Sequence, residues 1–282
     1  MVPAAADIPP RSGTATFTDL TGGGACSLPG EPADNLHVGI SSQEFGTADV
    51  CGAYLDVVGP RGSVRVQITD HCRNCPAGLL DLTRKAFAQI ADVSAGRAPV
   101  TYSLARNPPL AAPISLRVKD GSSRWWLQIQ VLDHGNALAS VELASPGVPG
   151  WRPLARSPDN FWTAANPGPG DGPFTLRITD IYAQSVVIYD VSPTPAHLQH
   201  TVARLYQPTS PPSPTTPSST PKAKPTPAPV LTTPTPAEPP PSHPRPTTPT
   251  NNDSLTPLLA VLAAVALAIY LNIRHHRRPS PW

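Results

Sequence analysis

The chain has 282 residues, of which 40 are Pro and only 14% are charged. This Pro content is far above average usage and excludes a single globular core that spans the whole sequence. The formal net charge of +2 is small and the basic residues are scattered, so nucleic acid is not an expected partner.

The first twelve residues, 1–12, form an N-terminal flank with neither a basic region nor an apolar stretch. They therefore do not have the pattern of a signal peptide. Because later segments predict that the folded part is exported, we expect the true translation start to lie upstream. Mapping that start would test the expectation.

Residues 13–107 are predicted to form a first domain, in which short β-rich runs alternate with Gly-containing turns. Strands are predicted over 13–18, 53–58, 63–69 and 100–104. One amphipathic helix is predicted over 81–92, with Thr83 as its N-cap. Many short strands with a single helix indicate a small closed β-barrel.

All four cysteines, Cys26, Cys51, Cys72 and Cys75, lie in this first domain. In a secreted protein an even number predicts two disulfides, and three pairings are open. A zinc site with four thiolates is the alternative, although 24 and 20 intervening residues around one C-x-x-C fit it poorly. We predict no metal site and no cofactor.

Four motifs of the first domain occur in the order found in one protein family. They are GTATFT from Gly13, CGAYLDV from Cys51, VQITDHCRNCPAGLLDLT from Val66 and AFAQIA from Ala86. Together they resemble the double-psi β-barrel domain of expansins. The same barrel occurs in family-45 endoglucanases and in rare-lipoprotein-A-type lytic transglycosylases.

The resemblance implies that two aspartates carry the chemistry of the barrel. It makes Asp81 the essential acid and Asp70 its neighbour, and it matches Thr16 and Thr18 to a hydroxyl-bearing strand beside them. Two carboxylates in one groove can differ in pKa, so that one holds a proton. Without the resemblance, Asp81 is equally well explained as an acid that stabilises the start of the predicted helix.

Two positions beside Asp70 depart from the family or stay without a role. Cys72 stands where bacterial members usually carry an aromatic residue that lines the groove. His71 is assigned no function, because a lone loop His is more often merely solvated.

Inverting hydrolysis needs a second carboxylate as base. The remaining acids of the domain match no such motif: Asp19, Glu31, Asp34, Glu44, Asp49 and Asp56. The resemblance therefore implies a non-hydrolytic protein that loosens polysaccharide contacts. A lytic transglycosylase or weak endoglucanase with Asp81 as general acid is one alternative, and a wall-polysaccharide adhesin is another.

Residues 108–207 are predicted to form a second domain, a β-sandwich with strands over 114–119, 125–132, 139–143, 175–181 and 185–189. The domain contains no cysteine and no recognisable catalytic constellation, which favours a binding module. Its run KDGSSRWWLQIQV, from Lys119 to Val131, resembles the expansin C-terminal carbohydrate-binding module.

This second resemblance implies a flat aromatic platform formed by Trp125 and Trp126, with Lys119 attracting acidic wall polymers. Strict alternation places Trp126 on the face shared with two glutamines, so Trp126 is the safer surface residue. Trp125 reaches that face only if the strand begins irregularly.

The third aromatic of the platform is missing from its expected place. Asp159 occupies that position. Phe161 and Trp162 lie close by in the sequence, and either they substitute for the missing ring or they belong to the core.

The C-terminal part is predicted to tether the two domains to a membrane. Residues 208–253 are a Pro/Thr/Ser-rich linker, and 254–273 are uncharged and long enough to span about 30 Å as a transmembrane helix. The tail 274–282 begins with RHHRR and is expected to be cytoplasmic. A buried core helix is the alternative.

The sequence therefore predicts a mainly β protein: a six-stranded double-psi β-barrel, an immunoglobulin-like β-sandwich, a disordered stalk and one transmembrane helix. The expected function is non-hydrolytic binding and loosening of cell-wall polysaccharide, either cellulose or peptidoglycan, outside the cell membrane. The expected partners are that polysaccharide and the lipid bilayer, and the protein is expected to be a monomer.

Overall fold

The computed structural model describes residues 8–19, 22 and 24–207, which form two β-domains within one compact unit. The predicted linker, transmembrane helix and tail lie outside the described residues. Within the described ranges no helix has the length and apolar character needed to cross a membrane.

The first domain is a closed barrel in which the strands are ordered β1-β5-β2-β4-β3-β6. The strands are β1 (Arg11–Thr18), β2 (His37–Ser41), β3 (Tyr54–Gly59), β4 (Gly62–Cys72), β5 (Leu79–Thr83) and β6 (Ala98–Leu104). Two short helices, α1 (Ser42–Phe45) and α2 (Arg84–Ile90), and a 3₁₀ turn at Val93–Ala95 complete the domain.

Alternation of side chains along the strands fills the barrel. In β4, Val64, Val66 and Ile68 are buried while the residues between them face outward. Helix α2 packs Phe87 and Ile90 onto this core. The predicted six-stranded barrel is therefore confirmed.

The structure corrects the predicted helix start. Helix α2 begins at Arg84 rather than at position 81, and Asp81 lies inside strand β5. The leucine-rich residues 79–83 are compatible with a helix or a strand. They form a strand here because they pair in parallel with β1. The predicted cap is confirmed, because the Thr83 hydroxyl accepts a hydrogen bond from the Ala86 N–H at 3.3 Å.

The second domain is a sandwich of two antiparallel sheets, as predicted. One sheet has the order β10-β9-β13-β14 and the other the order β11-β12-β8-β7-β15. The strands are β7 (Ser115–Val118), β8 (Trp126–Leu132), β9 (Leu138–Ala144), β10 (Arg152–Pro153), β11 (Ala155–Arg156), β12 (Trp162–Ala165), β13 (Phe174–Asp180), β14 (Ser185–Val191) and β15 (Leu198–His200). The sequence did not predict four strands of two to four residues, β10, β11, β12 and β15, which are too short to give a distinct pattern.

The two domains are joined by side chains of the sandwich that donate to main-chain carbonyls of the barrel. Gln130 Nε2 donates to the Cys26 carbonyl at 2.9 Å, and Arg156 donates to the Ala48 carbonyl at 2.6 Å. Asn160 also donates to the Cys26 carbonyl, at 3.2 Å. The buried His134 lies against Gly52, where a Cβ would come within 2.7 Å of its ring.

The cysteines form the disulfides Cys26–Cys51 and Cys72–Cys75. Two disulfides were predicted, and the structure selects one of the three pairings that the sequence left open. The four-thiolate zinc site is excluded, because every thiol is used. The first bridge ties together the two barrel segments that accept hydrogen bonds from the sandwich.

Candidate functional site

A row of four residues crosses four adjacent barrel strands. Thr16 of β1 pairs with Asp81 of β5, Asp81 pairs with Gly39 of β2, and Gly39 pairs with Asp70 of β4. Residues in register point to the same face, here the outside of the barrel. Gly39 is buried and has no side chain, so no Cβ of strand β2 stands between the two carboxyl groups, and we call this strip of surface the Gly39 groove.

The groove is narrow at its floor. A Cβ at Gly39 would lie 3.6 Å from Cβ of Asp70, and a larger side chain would fill the space. Asp70 and Asp81 lie two strands apart, so their main chains are separated by about 10 Å. A flat polymer chain can therefore contact both carboxyl groups at once.

Asp81 is half-buried and holds its proton more firmly than an ordinary aspartate. Burial is the main cause that raises its pKa, and the charge of Asp70 raises it further. The Thr16 hydroxyl donates to Asp81 Oδ1 at 3.1 Å and opposes this rise. Asp81 is therefore the group of the row that is suited to donate a proton.

Asp70 is held in one orientation by the main chain. Its Oδ1 accepts hydrogen bonds from the N–H of Ala25 at 2.7 Å and from the N–H of His71 at 2.8 Å. Thr18 lies at the exposed end of β1, in register with Thr83. The predicted hydroxyl that reaches Asp81 is that of Thr16.

Seven other acids lie in the described part of the barrel: Asp92 pairs with Arg61, and the six that were considered as candidate bases also have partners away from this row. Two of these six pair with arginines, Asp19 with Arg84 and Asp56 with Arg65. Three accept hydrogen bonds from nearby main-chain N–H groups: Asp34 from Leu36, Glu31 from Gly22 and Asp49 from Thr47. Glu44 accepts hydrogen bonds from the hydroxyls of Ser41 and Tyr102 and from the N–H of Gly78. None of these six stands in register with Gly39. In the described part of the chain, no three or more His, Cys, Asp or Glu side chains are grouped as metal ligands.

Of the two tryptophans predicted to form the platform, Trp125 is the more exposed, so the expectation that Trp126 is the safer surface residue was wrong. Trp125 is 72% exposed, whereas Trp126 is only partly exposed. A tight turn, in which Ser123 and Trp126 exchange main-chain hydrogen bonds, precedes strand β8 and turns Trp125 outward. The Arg124 guanidinium lies 5.1 Å from the Trp125 ring centroid and covers part of one face.

The expected surface face of β8 is covered. Gln128 and Gln130 are buried, because Gln128 bonds to Ser157 and Thr163 while Gln130 bonds to the barrel. The prediction that Trp126, Gln128 and Gln130 share one face of β8 was correct. Most of that face is buried against other residues of the sandwich and against the barrel, so it is not a free surface.

The remaining predicted binding residues, Phe161, Trp162 and Lys119, do not present a free binding surface. Phe161 and Trp162 are 4% and 5% exposed, so they belong to the interior and offer no open ring face. The Lys119 ammonium contacts the Asp159 carboxylate and lies 4.8 Å from the Phe161 ring centroid. Because Lys119 is paired, the local charge that was expected to attract acidic polymers is compensated.

Both domains match known families. Residues 39–102 match the family described as lytic transglycolase, and residues 114–193 match the expansin C-terminal domain. Expansin-YoaJ of Bacillus subtilis is 31% identical over 181 residues, which cover 62% of this chain and 76% of that protein. The chain belongs to the expansin family. Expansin-B17 of rice is 28% identical over 214 residues and is covered to 76%.

Solved structures of a bacterial expansin agree with this assignment. A point mutant of the expansin of Clavibacter michiganensis, solved in complex with cellohexaose, is 38% identical, with a TM-score of 0.66. The comparison covers 71% of this chain and 99% of that chain. The apo form of the same expansin is 39% identical, with the same TM-score and coverage. The predicted resemblance to expansins is thus confirmed for both domains.

Proposed function

We propose that this expansin binds a glucan chain along the Gly39 groove and the Trp125 platform and loosens its contacts without cutting it. The observation that carries the proposal is the row Thr16–Asp81–Gly39–Asp70, which places a hydroxyl and two carboxyl groups on one face with no side chain between the carboxyl groups. Loosening requires hydrogen bonds between neighbouring polymer chains to be exchanged for hydrogen bonds to the protein. Asp81 can donate such a bond, and Asp70 and Thr16 can accept one.

The positions of the acids in the described part of the barrel support a non-hydrolytic mode. Inverting hydrolysis needs a carboxylate spaced to activate a water molecule. Asp70 is the other acid of the row, and two main-chain N–H groups already hold its Oδ1. The seven further acids of the described barrel have hydrogen-bond or ion-pair partners elsewhere.

The proposed polymer is a β-linked glucan such as cellulose. The Clavibacter expansin forms a complex with cellohexaose, and this chain matches that protein over both domains. An exposed indole such as Trp125 suits the apolar face of a pyranose ring. Peptidoglycan is the alternative polymer.

A lytic transglycosylase is a second candidate function, because the barrel matches the family described under that activity. Such an enzyme needs one acid and no separate base, since the muramic sugar supplies its own nucleophile. Asp81 meets that requirement. Release of anhydro-sugars from peptidoglycan by the wild-type protein would favour this candidate over loosening.

We further propose that the protein acts as a monomer held at the outer face of a cell membrane. Support comes from the sequence: an uncharged segment 254–273 is followed by the basic run RHHRR and preceded by a Pro-rich linker. Protease digestion of intact cells tests the orientation. Loss of the two β-domains with retention of a tail epitope is expected, and protection of both domains would contradict it.

The main test is a wall-extension assay under constant load, together with an assay for reducing ends. Wild-type protein is expected to cause extension without releasing reducing ends. Asp81→Ala removes both the donor and the acceptor of this side chain and is expected to lower the extension rate about tenfold, the effect of losing one hydrogen bond of about 1.4 kcal/mol. Its binding to microcrystalline cellulose should stay within about twofold of wild type, because the platform is intact.

Asp19→Ala is the matched control, since Asp19 is exposed and pairs with Arg84 outside the row. It should extend walls as wild type does. Unchanged extension by Asp81→Ala, or extension that tracks the release of reducing ends, would refute the proposed mode.

A further inference from the structure

A second groove lies where the barrel meets the sandwich, and both domains contribute to its walls. Its lining residues are Ala25, Ser42, Phe45, Gly46, His71, Arg73, Pro158 and Asp159. At one end, Ala25 and His71 both donate main-chain hydrogen bonds to Asp70. At the other end, Asp159 contacts Lys119, whose N–H bonds to the Gln128 carbonyl of strand β8.

This junction groove therefore connects the two parts of the proposed site. Gln128 stands two residues after Trp126 on the same strand, which is about 7 Å along it. A polymer chain that lies on the Gly39 groove and continues to the tryptophans passes over the junction groove. Any group that presents a flat face there meets a sugar ring.

His71 presents such a face. Its ring stacks on the Phe45 ring with a centroid separation of 4.6 Å and an interplanar angle of 8°. Phe45 is 3% exposed, so it supports the imidazole from the inside. Since Phe45 covers one face and His71 is only partly buried, the side of the ring that remains accessible is the one turned to the groove.

The ring is also fixed in its plane. His71 Nε2 lies 2.8 Å from the Ser42 hydroxyl, and that hydroxyl also donates to the Arg73 carbonyl at 3.1 Å. A ring that is held before the ligand arrives loses little conformational entropy on binding, which favours affinity. The neighbouring Cys72 is bonded to Cys75 and has no ring to offer.

We propose that His71 is a sugar-binding residue that stacks on one pyranose of the glucan chain between the Asp70 end of the row and the Trp125 platform. The ring face of His71 is on the opposite side of strand β4 from Cys72, toward the junction groove. The exposed Arg73 lies beside it and can donate hydrogen bonds to hydroxyl groups of the same sugar. This inference rests on the proposed function, because it assumes that a glucan chain follows both grooves.

The test is titration calorimetry of purified full-length protein with cellohexaose. His71→Ala should weaken binding about five- to tenfold, as expected for loss of one stacked ring. His71→Phe should stay within about twofold of wild type, because it keeps a ring on Phe45.

His197→Ala is the control, because His197 is exposed and lies outside the lining of the junction groove. Thermal unfolding of each variant shows whether it is folded. Wild-type affinity in His71→Ala would overturn the inference. An equal loss of affinity in His71→Phe and His71→Ala would overturn the inference as well. Such a result would show that binding depends on the imidazole nitrogens and not on the ring face.

The inference and the proposed function fail in different ways. If wild-type protein binds neither cellohexaose nor cellulose, the proposed function falls and the inference falls with it. If wild-type protein binds and His71→Ala binds equally well, only the inference is lost.

Discussion

The barrel and the sandwich place their functional side chains in opposite ways. In the barrel, Thr16, Asp81 and Asp70 lie within strands, and the register across β1, β5, β2 and β4 sets their spacing. In the sandwich, Trp125 precedes its strand and is turned outward by a tight turn. The hydroxyl and carboxyl groups of the barrel need fixed distances from one another, and the strand register provides these distances. A stacking surface needs to protrude, which a turn provides.

The two domains also differ in how they are held together. Both disulfides are in the barrel, whereas the sandwich relies on its apolar core. The sandwich supplies side-chain donors at their junction, and the barrel supplies main-chain acceptors. Changes in the barrel loops and in the sandwich core should therefore have separable effects on stability and on binding.

The largest expected effect separates the buried and exposed tryptophans of the sandwich. Trp162→Ala should lower the free energy of unfolding by about 3–5 kcal/mol, because it removes a large buried side chain from the core. Trp125→Ala should change that free energy by less than about 0.5 kcal/mol. It should weaken cellulose binding about tenfold, in line with loss of an aromatic contact. Urea unfolding and cellulose pull-down measure the two effects, and the reverse pattern would contradict the assignment of core and platform.

The next effect distinguishes the two disulfides of the barrel. Replacing Cys26 and Cys51 by Ser should lower the free energy of unfolding by about 3.5 kcal/mol, and replacing Cys72 and Cys75 by about 2 kcal/mol. The difference follows from their sequence separations of 25 and 3 residues. Urea unfolding of both double variants measures it, and an equal loss would show that the chain-entropy argument does not apply here.

The third effect is a loss of stability in acid that arises at the domain junction. Burial lowers the pKa of His134 from 6.5 to about 4. Because the folded-state pKa is below the unfolded value, this stability is fully present above pH 6.5. It is lost as the pH falls toward 4, by at most about 3 kcal/mol.

Urea unfolding of wild type and His134→Gln between pH 7.5 and pH 4 measures this effect. The variant should lose less stability than wild type over that interval. A wild-type decline that the substitution does not reduce would assign the acid sensitivity to other groups.

The smallest effect is a pair of opposite shifts in the pH dependence of wall extension, caused by substitutions at the two neighbours of Asp81. If loosening needs the proton on Asp81, activity falls as the pH rises through the pKa of that group. Thr16→Val removes a hydrogen bond that lowers this pKa, so the fall should move to higher pH. Asp70→Asn removes a charge that raises the pKa of Asp81, so the fall in activity should move to lower pH. Wall extension measured against pH checks both directions, and shifts of the same sign would exclude Asp81 as the titrating group.

The aspartates could be predicted from the sequence because one contiguous motif contains both. Gly39 could not, since every residue of strand β2 is buried and the segment shows no alternation. The stacked pair of Phe45 and His71 was also missed, because only the fold brings these distant residues together. In the sandwich, alternation described β8 correctly but could not foresee the turn at Ser123 that exposes Trp125.

The junction between the domains has a consequence for how the family can diverge. Its acceptors are the main-chain carbonyls of Cys26, Ser27 and Ala48, which every amino acid provides. Substitutions in these barrel loops therefore leave the acceptors in place as long as the backbone path is kept, and the Cys26–Cys51 bridge keeps it. Natural variation should concentrate on the barrel side of the junction, while the donors Arg117, Gln130 and Arg156 resist replacement.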